Sequence, residues 1–299
     1  METIARCIFC LSSNARFGSV EHIVPESLGN FSDRHLLAKG VVCDPCNNYF
    51  SSSVEAPVLN HVSFQNLRAK YQIPTKRGRM PFLRGYAYGT DIEVGVRVNA
   101  STKKVEIVPL RDGQRRQFER LERLDAFSIR RNVFVFPMDV RPPQREMSRF
   151  LAKMAFEAMF ARSSLVLGPG SAMDLLSTEH YDNIRNWARY GNNFKEWPFH
   201  YRAYFPEETL MEHPETKKWV QFGFGYDLLL TDDPETYFVF SCHGHEFSIN
   251  LGGPSIKGYE LWLAANGNVS ALVEKKGFFV QTLTENGKHK HLLVPILSF

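Results

Sequence analysis

Four cysteines in two pairs of identical spacing open this chain: Cys7-Ile8-Phe9-Cys10 and Cys43-Asp44-Pro45-Cys46. Between them lies Glu21-His22-Ile23-Val24-Pro25, and Asn47-Asn48 follows the second pair at once. Two C-x2-C pairs supply four sulfur ligands, the tetrahedral set that zinc favours, and each pair suits a tight turn. A metal so held would tie residue 7 to residue 46. The other reading, two pairs of buried free cysteines, leaves the matched spacing unexplained. Four thiolates leave zinc no open position, so its role is structural and the chemistry falls to the enclosed side chains. The imidazole of His22 titrates near the pH at which a base must take a proton from water. Glu21 offers a hard oxygen suited to Mg2+ or Mn2+. Neighbouring side chains on an ideal strand point to opposite faces. For both to serve one site, Glu21 and His22 must sit at a strand end or on irregular backbone, which Pro25 favours. Asp44-Pro45-Cys46 begins a helix running through Tyr49, Phe50 and Val54. Ligation of Cys43 and Cys46 would fix that helix against the His22 segment. The amide oxygen of Asn47, on its first turn, could then complete a metal shell.

Cys7-x2-Cys10, Glu21-His22-Ile23-Val24-Pro25, Leu28-Gly29 and Val42-Cys43-Asp44-Pro45-Cys46-Asn47-Asn48 together resemble the HNH endonucleases. The likeness is to the zinc-bearing branch with a Glu-His-Ile-x-Pro core, and it covers roughly residues 5–60. It implies a β-hairpin and a helix (a ββα-metal fold) around one catalytic divalent ion, Mg2+ or Mn2+. It implies His22 as general base and Glu21 and Asn47 as ligands of that ion, with Asn48 as the alternative to Asn47. The implied reaction is hydrolysis of phosphodiester bonds, with DNA as the first partner and RNA permitted by the same chemistry. Arg16 and Arg34 are candidates to contact the phosphate. The family's middle Asn, a few residues before the third cysteine, has no counterpart here, because Ala38 stands in its place. His35, in Asp33-Arg34-His35-Leu36-Leu37, is the polar substitute the segment offers.

The 299 residues can bury one large core or two smaller ones. No run reaches eighteen apolar residues, so no membrane span is expected. The first residues lack the charged-then-apolar pattern of a signal peptide, and a cytoplasmic protein is expected. Five cysteines are too few for a secreted disulfide framework. The net charge of +4 is unevenly spread: residues 76–162 carry nineteen basic and ten acidic side chains, whereas residues 163–299 carry eleven and sixteen. A basic middle beside a metal-binding head suits a polyanion. It also suits a well-solvated surface. Lys76, Arg77, Arg79 and Arg84 form one basic cluster that either tracks phosphates or solvates a linker. Arg115, Arg116, Arg120, Arg123, Arg130 and Arg131 alternate with acidic residues, and a salt-bridged surface explains them equally well.

These patterns predict an α+β chain: a zinc-stapled nuclease head over residues 1–70, then a domain over 71–299 with a mainly antiparallel sheet that selects substrate or binds a partner. A single head would cut one strand, so duplex cleavage implies a homodimer or two sequential nicks, and the larger domain could also bind a partner protein. The head's core is thin: Phe9, Ile23, Val24, Leu28, Leu36, Val41, Val42, Phe50 and Leu59. So few apolar residues need a staple. Tyr71 to Arg84 reads as a linker or basic loop, residues 85–98, 103–110 and 132–137 as strands, and 114–126 as a short charged helix. Pro142-Pro143 precedes a strong helix over 144–162, with an apolar stripe through Phe150, Leu151, Met154, Ala155, Ala158 and Met159. A second helix is expected over Ser171–Tyr190. Strands are expected over 219–231, 235–241, 246–251, 259–265, 269–274 and 291–296, with turns at Asp232-Asp233-Pro234 and Asn266-Gly267. Cys242-His243-Gly244-His245 has no partner pair nearby; Asp227, His289 and His291 could join it only through folding. It reads as a turn at a sheet edge. The four tryptophans read as core rather than as base-stacking platforms.

Overall fold

The computed structural model describes residues 6–30, 35–75, 78–87, 90–98, 104–123, 134–135, 142–203, 210–212, 219–221, 224–231, 235–274, 278–285 and 288–295. The chain gathers into two compact units. One joins Met1–Glu55 with Gln144–Phe299, and the other is Ala56–Pro143. Compactness therefore groups the residues differently from the boundary that the sequence reading places at residue 70.

The N-terminal head is built from turns. Leu11 takes a left-handed φ of 57° and its N–H donates to the Cys7 carbonyl at 2.8 Å, which folds Cys7–Cys10 into a knuckle. Helix α1 (Asp44–Phe50) starts from Cys43 at its N-cap, with Pro45 in the first turn where its missing N–H costs nothing. The helix then widens into a π-turn over Ser51–Glu55. The Asp44 carboxylate accepts from Gly18 N, Ser19 N and Ser19 Oγ at 2.8, 2.8 and 2.7 Å, which fastens the preceding loop to the helix start. Those bonds, the Ser19 hydroxyl foremost, hold Asp44 below the usual carboxylate range. The expected hairpin is reduced to one antiparallel bridge, His22 opposite Leu36, flanked by Ile23 N to His35 O and Leu37 N to Glu21 O, both 2.9 Å. Opposed residues share a face. Leu36 therefore lies half-buried beside His22, and Leu37 takes the core position instead. The other expected core residues, Leu59 in the second unit included, are buried.

The second unit holds α2 (Ala56–Leu59), α3 (Val62–Lys70), β1 (Leu83–Ala87), β2 (Glu93–Val98), β3 (Val105–Pro109), α4 (Arg115–Arg123) and β4 (Phe134–Val135). Its strands form an antiparallel sheet in the order β3-β2-β1-β4. Ala87, Ile92, Val94 and Phe118 make its core. Asn66 clips α3 to β1, donating to Arg84 O at 2.9 Å and accepting from Arg84 N at 2.7 Å.

The first unit resumes with α5 (Gln144–Leu167), α6 (Pro169–Leu176) and α7 (Asp182–Tyr190). From Met147 to Ala158 all of α5 except Arg149 is buried. A helix buried on every face sits inside a fold. It lies against α6 and α7, against the head, and against an antiparallel sheet ordered β5-β10-β9-β8. Those strands are β5 (Phe199–Ala203), β8 (Phe224–Leu230), β9 (Thr236–Cys242) and β10 (His245–Asn250), and β6 (Leu210–Glu212) and β7 (Trp219–Gln221) fall between them in the chain. Helices α8 (Lys257–Ala265) and α9 (Ala271–Glu274) follow, then β11 (Phe278–Glu285) and β12 (Lys288–Pro295). A third sheet runs β11-β12-β6-β7, with β12 and β6 parallel and its other pairs antiparallel.

The architecture is thus α+β and mainly antiparallel, as the sequence predicts, with four local corrections, the first being that the strand expected over 85–98 is two, β1 and β2. Residues 259–265 and 269–274 were expected as strands and fall in helices α8 and α9. Tyr259 and Leu263, four apart, are the buried positions of α8, whereas Leu261 between them is exposed. The single helix expected over Ser171–Tyr190 is two, broken at Ser177-Thr178. The strand expected over 219–231 is also two, β7 and β8, in different sheets. Trp187 and Trp197 are fully buried and stack at 6.2 Å. Their N–H groups are satisfied by Ser148 Oγ and Asn250 O, so they are core, as expected. Among the described residues no helix is long and apolar enough to cross a membrane.

Candidate active site

The sulfurs of Cys7, Cys10, Cys43 and Cys46 all lie within 4.8 Å of one another, and those of Cys10 and Cys43 are 3.6 Å apart. A tetrahedral zinc with ligands at about 2.3 Å sets its sulfurs roughly 3.8 Å apart, so the donor set fits that ion. A hydrogen bond from Cys46 brings Cys7 down to about 5, burial takes Cys43 up to about 11, and the Cys7 sulfur drives Cys46 higher still. Four thiolates cannot form together here without a cation to compensate them, which is what a bound metal provides.

Glu21 and His22 sit on the bridge, and their side chains meet different surroundings. His22 is part-exposed, with Nε2 3.6 Å from Glu26 Oε1, longer than a hydrogen bond. Glu21 is buried, and its Oε1 accepts from Lys153 Nζ of α5. Lys153 is wholly buried. It also contacts Glu55 Oε1 at 2.8 Å, Glu157 Oε2 at 3.1 Å and the His22 carbonyl at 3.2 Å. Burial alone would lower the lysine, but Glu157, Glu21 and Glu55 more than offset it and the ammonium stays charged. Burial raises Glu21, with Lys153 opposing, and it raises Glu157 far above the carboxylate range.

Lys153, Glu55 and Glu157 were not singled out by the sequence. Lys153 and Glu157 are four residues apart, a spacing that ordinarily marks an exposed helical ion pair. The available signal was their place within the apolar run of α5.

Residues 7–63 match the family model described as HNH endonuclease. The N-terminal head is an HNH-family segment. No curated protein and no solved structure matches the chain.

Within the HNH head, Asn47 is half-buried and Asn48 exposed on α1, in a register fixed by Cys43 and Cys46. A carboxylate oxygen from Glu21 and an amide oxygen from Asn47 are hard donors that fit Mg2+ or Mn2+, which hold several waters of their own. His35 meets strand β8. Its Nδ1 lies 3.3 Å from Tyr226 Oη, and its ring packs on Phe224 and Tyr226. Arg16 is exposed and pairs with Asp44 at 3.3 Å. In the second unit Arg79 is exposed, while Arg84 is engaged by Glu93 and Gln65 at 2.9 and 3.0 Å. Arg115 pairs with Glu119 at 3.3 Å, in keeping with a salt-bridged surface. Arg34, Lys76 and Arg77 lie outside the described residues. His243-Gly244 forms the β9–β10 turn, His245 bonds Tyr201 Oη at 2.9 Å, and Cys242 is buried. Among the described residues, the four head cysteines are the one group of three or more His, Cys, Asp or Glu side chains close enough to share a metal.

Proposed function

We propose that this chain is a metal-dependent endonuclease that hydrolyses phosphodiester bonds, with DNA as its first substrate. The observation that carries the reading is His22: a water-accessible imidazole on the bridge that also bears Glu21, inside the segment matched by the HNH family. His22 takes the proton from the attacking water, and its part-exposed ring leaves that water room to approach. Glu21 spends Oε1 on Lys153 and has its second oxygen to offer an ion. Asn47 supplies an amide oxygen from α1, with Asn48 the alternative. The divalent ion, when bound, stabilises the charge that develops on the phosphate. Cys7, Cys10, Cys43 and Cys46 hold a structural zinc that takes no part in the reaction. Arg16, Arg34 and the cluster Lys76, Arg77, Arg79 and Arg84 are the candidate phosphate contacts. A small cutting head joined to a larger α+β module suits restriction or phage defence, by analogy of organisation.

The engagement of Glu21 by Lys153 favours one alternative: a zinc-stapled nucleic-acid-binding protein that does not cut. Supercoiled plasmid and single-stranded RNA, each incubated with Mg2+ or Mn2+, separate the two readings. Cleavage by the wild type and none by His22→Ala, with equal binding, supports the nuclease. Binding without cleavage by either protein would sink it.

A further inference from the structure

Lys153 is enclosed by three carboxylates. Its ammonium meets Glu21 Oε1, Glu55 Oε1 and Glu157 Oε2 and also the carbonyl of His22, and no part of its side chain is exposed. Two of these contacts fall on the consecutive residues Glu21 and His22. A carboxylate and a peptide oxygen gripped by one buried charge leave that peptide little freedom to rotate. The bridge bonds Ile23 N to His35 O and Leu37 N to Glu21 O act on the same backbone, whereas Ala38 is exposed and without a polar group, and His35 Nδ1 lies 3.3 Å from Tyr226 Oη.

We propose that Lys153 is a positioning residue of the nuclease site. It holds the Glu21 carboxylate and the His22–Ile23 peptide and so aims the imidazole. The clamp reaches across 131 residues, from a helix outside the family-matched segment. Glu55 joins it at the end of the π-turn, so the bridge and the helix bearing Asn47 are both referred to one ammonium. The inference rests on the nuclease reading.

The test compares wild type, His22→Ala, Lys153→Met and the double variant Lys153→Met/Glu157→Met in the full chain. The double variant also removes Glu157, the fully buried one of the three carboxylates that the single change strands, because apolar replacement of a buried pair is often tolerated. Zinc content and the unfolding transition report the fold. Hydrogen exchange at the Ile23 and Leu37 amides, read without divalent ion, reports the bridge. The expected result is a folded, zinc-bearing double variant with faster exchange at those two amides. Its kcat should be about 100-fold lower, the scale of a small misplacement of a catalytic group, with KM and metal-free DNA affinity within about twofold of wild type. A folded variant that cleaves at the wild-type rate overturns the positioning role alone. Variants that both lose zinc or cooperative unfolding overturn it too, since Lys153 would then be a core residue only. A wild type inert on DNA and RNA overturns the nuclease reading first, and the positioning role with it.

Discussion

His22 and Asn47 are separated by what each can reach. The imidazole is accessible to water at the bridge, whereas Asn47 is half-buried on the first turns of α1 and Asn48 is exposed. If Asn47 is the amide ligand, Asn47→Ala should raise the Mn2+ concentration for half-maximal cleavage by about 10-fold, the low end of what a lost contact at a metal site costs. Asn48→Ala should leave it unchanged. Metal titrations of both variants decide it, and the reverse pattern would move the role to Asn48. These residues were legible because their meaning is local: the cysteine spacing, the Glu-His dipeptide and the amide after Cys46 all lie in contiguous sequence. Lys153 was not legible. Its partner Glu21 is 132 residues away, and only the packing of α5 against the head brings them together.

Helices and turns carry the site through their ends. Zinc would join the Cys7 knuckle to the first turn of α1, so its removal should release both. One zinc per chain by elemental analysis, and loss of the low-exchange amides between residues 7 and 50 on strong chelation, are the expected outcomes. Retention of both the order and the metal-free fold would deny zinc a structural part. Helix α3 depends on a different cap. His61 Nδ1 accepts from Ser63 N at 3.4 Å and lies 2.8 Å from Ser63 Oγ, and burial lowers its pKa below 6.5. Protonation removes the acceptor. The folded state therefore binds its proton later than the unfolded chain. The cap's contribution is complete above pH 6.5 and is lost as pH falls through the lowered value. Protection of the α3 N-terminal amides, relative to their intrinsic exchange at each pH, should fall between pH 7 and pH 5, and His61→Asn, a cap with no titrating group, should flatten that dependence. Equal slopes in the two proteins would remove His61 from the account. The same scale shows why residues 257–274 misled the sequence reading. Tyr259 and Trp262 have strand-like residue types, but burial at Tyr259 and Leu263 with Leu261 exposed is a helical pattern that only the packed partner reveals.

At the scale of the molecule, the head is joined to the C-terminal elements by specific contacts. Phe9 packs on Phe50 at 4.3 Å and on Phe156 of α5 at 5.5 Å, Arg149 donates to Tyr49 Oη at 2.8 Å, and Lys153 holds Glu21. Burying a phenylalanine contributes about 1.5–3 kcal/mol, and a core of this size rarely exceeds about 3–5 kcal/mol by itself. The α5 contacts are therefore a large share of what orders the head. A zinc on the four cysteines would add a separate staple, but it would constrain residues 7–46 only through their ends and would not touch the bridge. A fragment of residues 1–70 should accordingly bind one zinc through its four cysteines while its Ile23 and Leu37 amides exchange freely, and it should not cleave plasmid at saturating Mn2+. Adding residues 144–299 in trans should restore slow exchange at those amides, and cleavage with it. A fragment that cuts alone, with the same dependence on His22, would show that the segment matched by the family contains all that the site needs. It would leave α5 a scaffold for some other purpose.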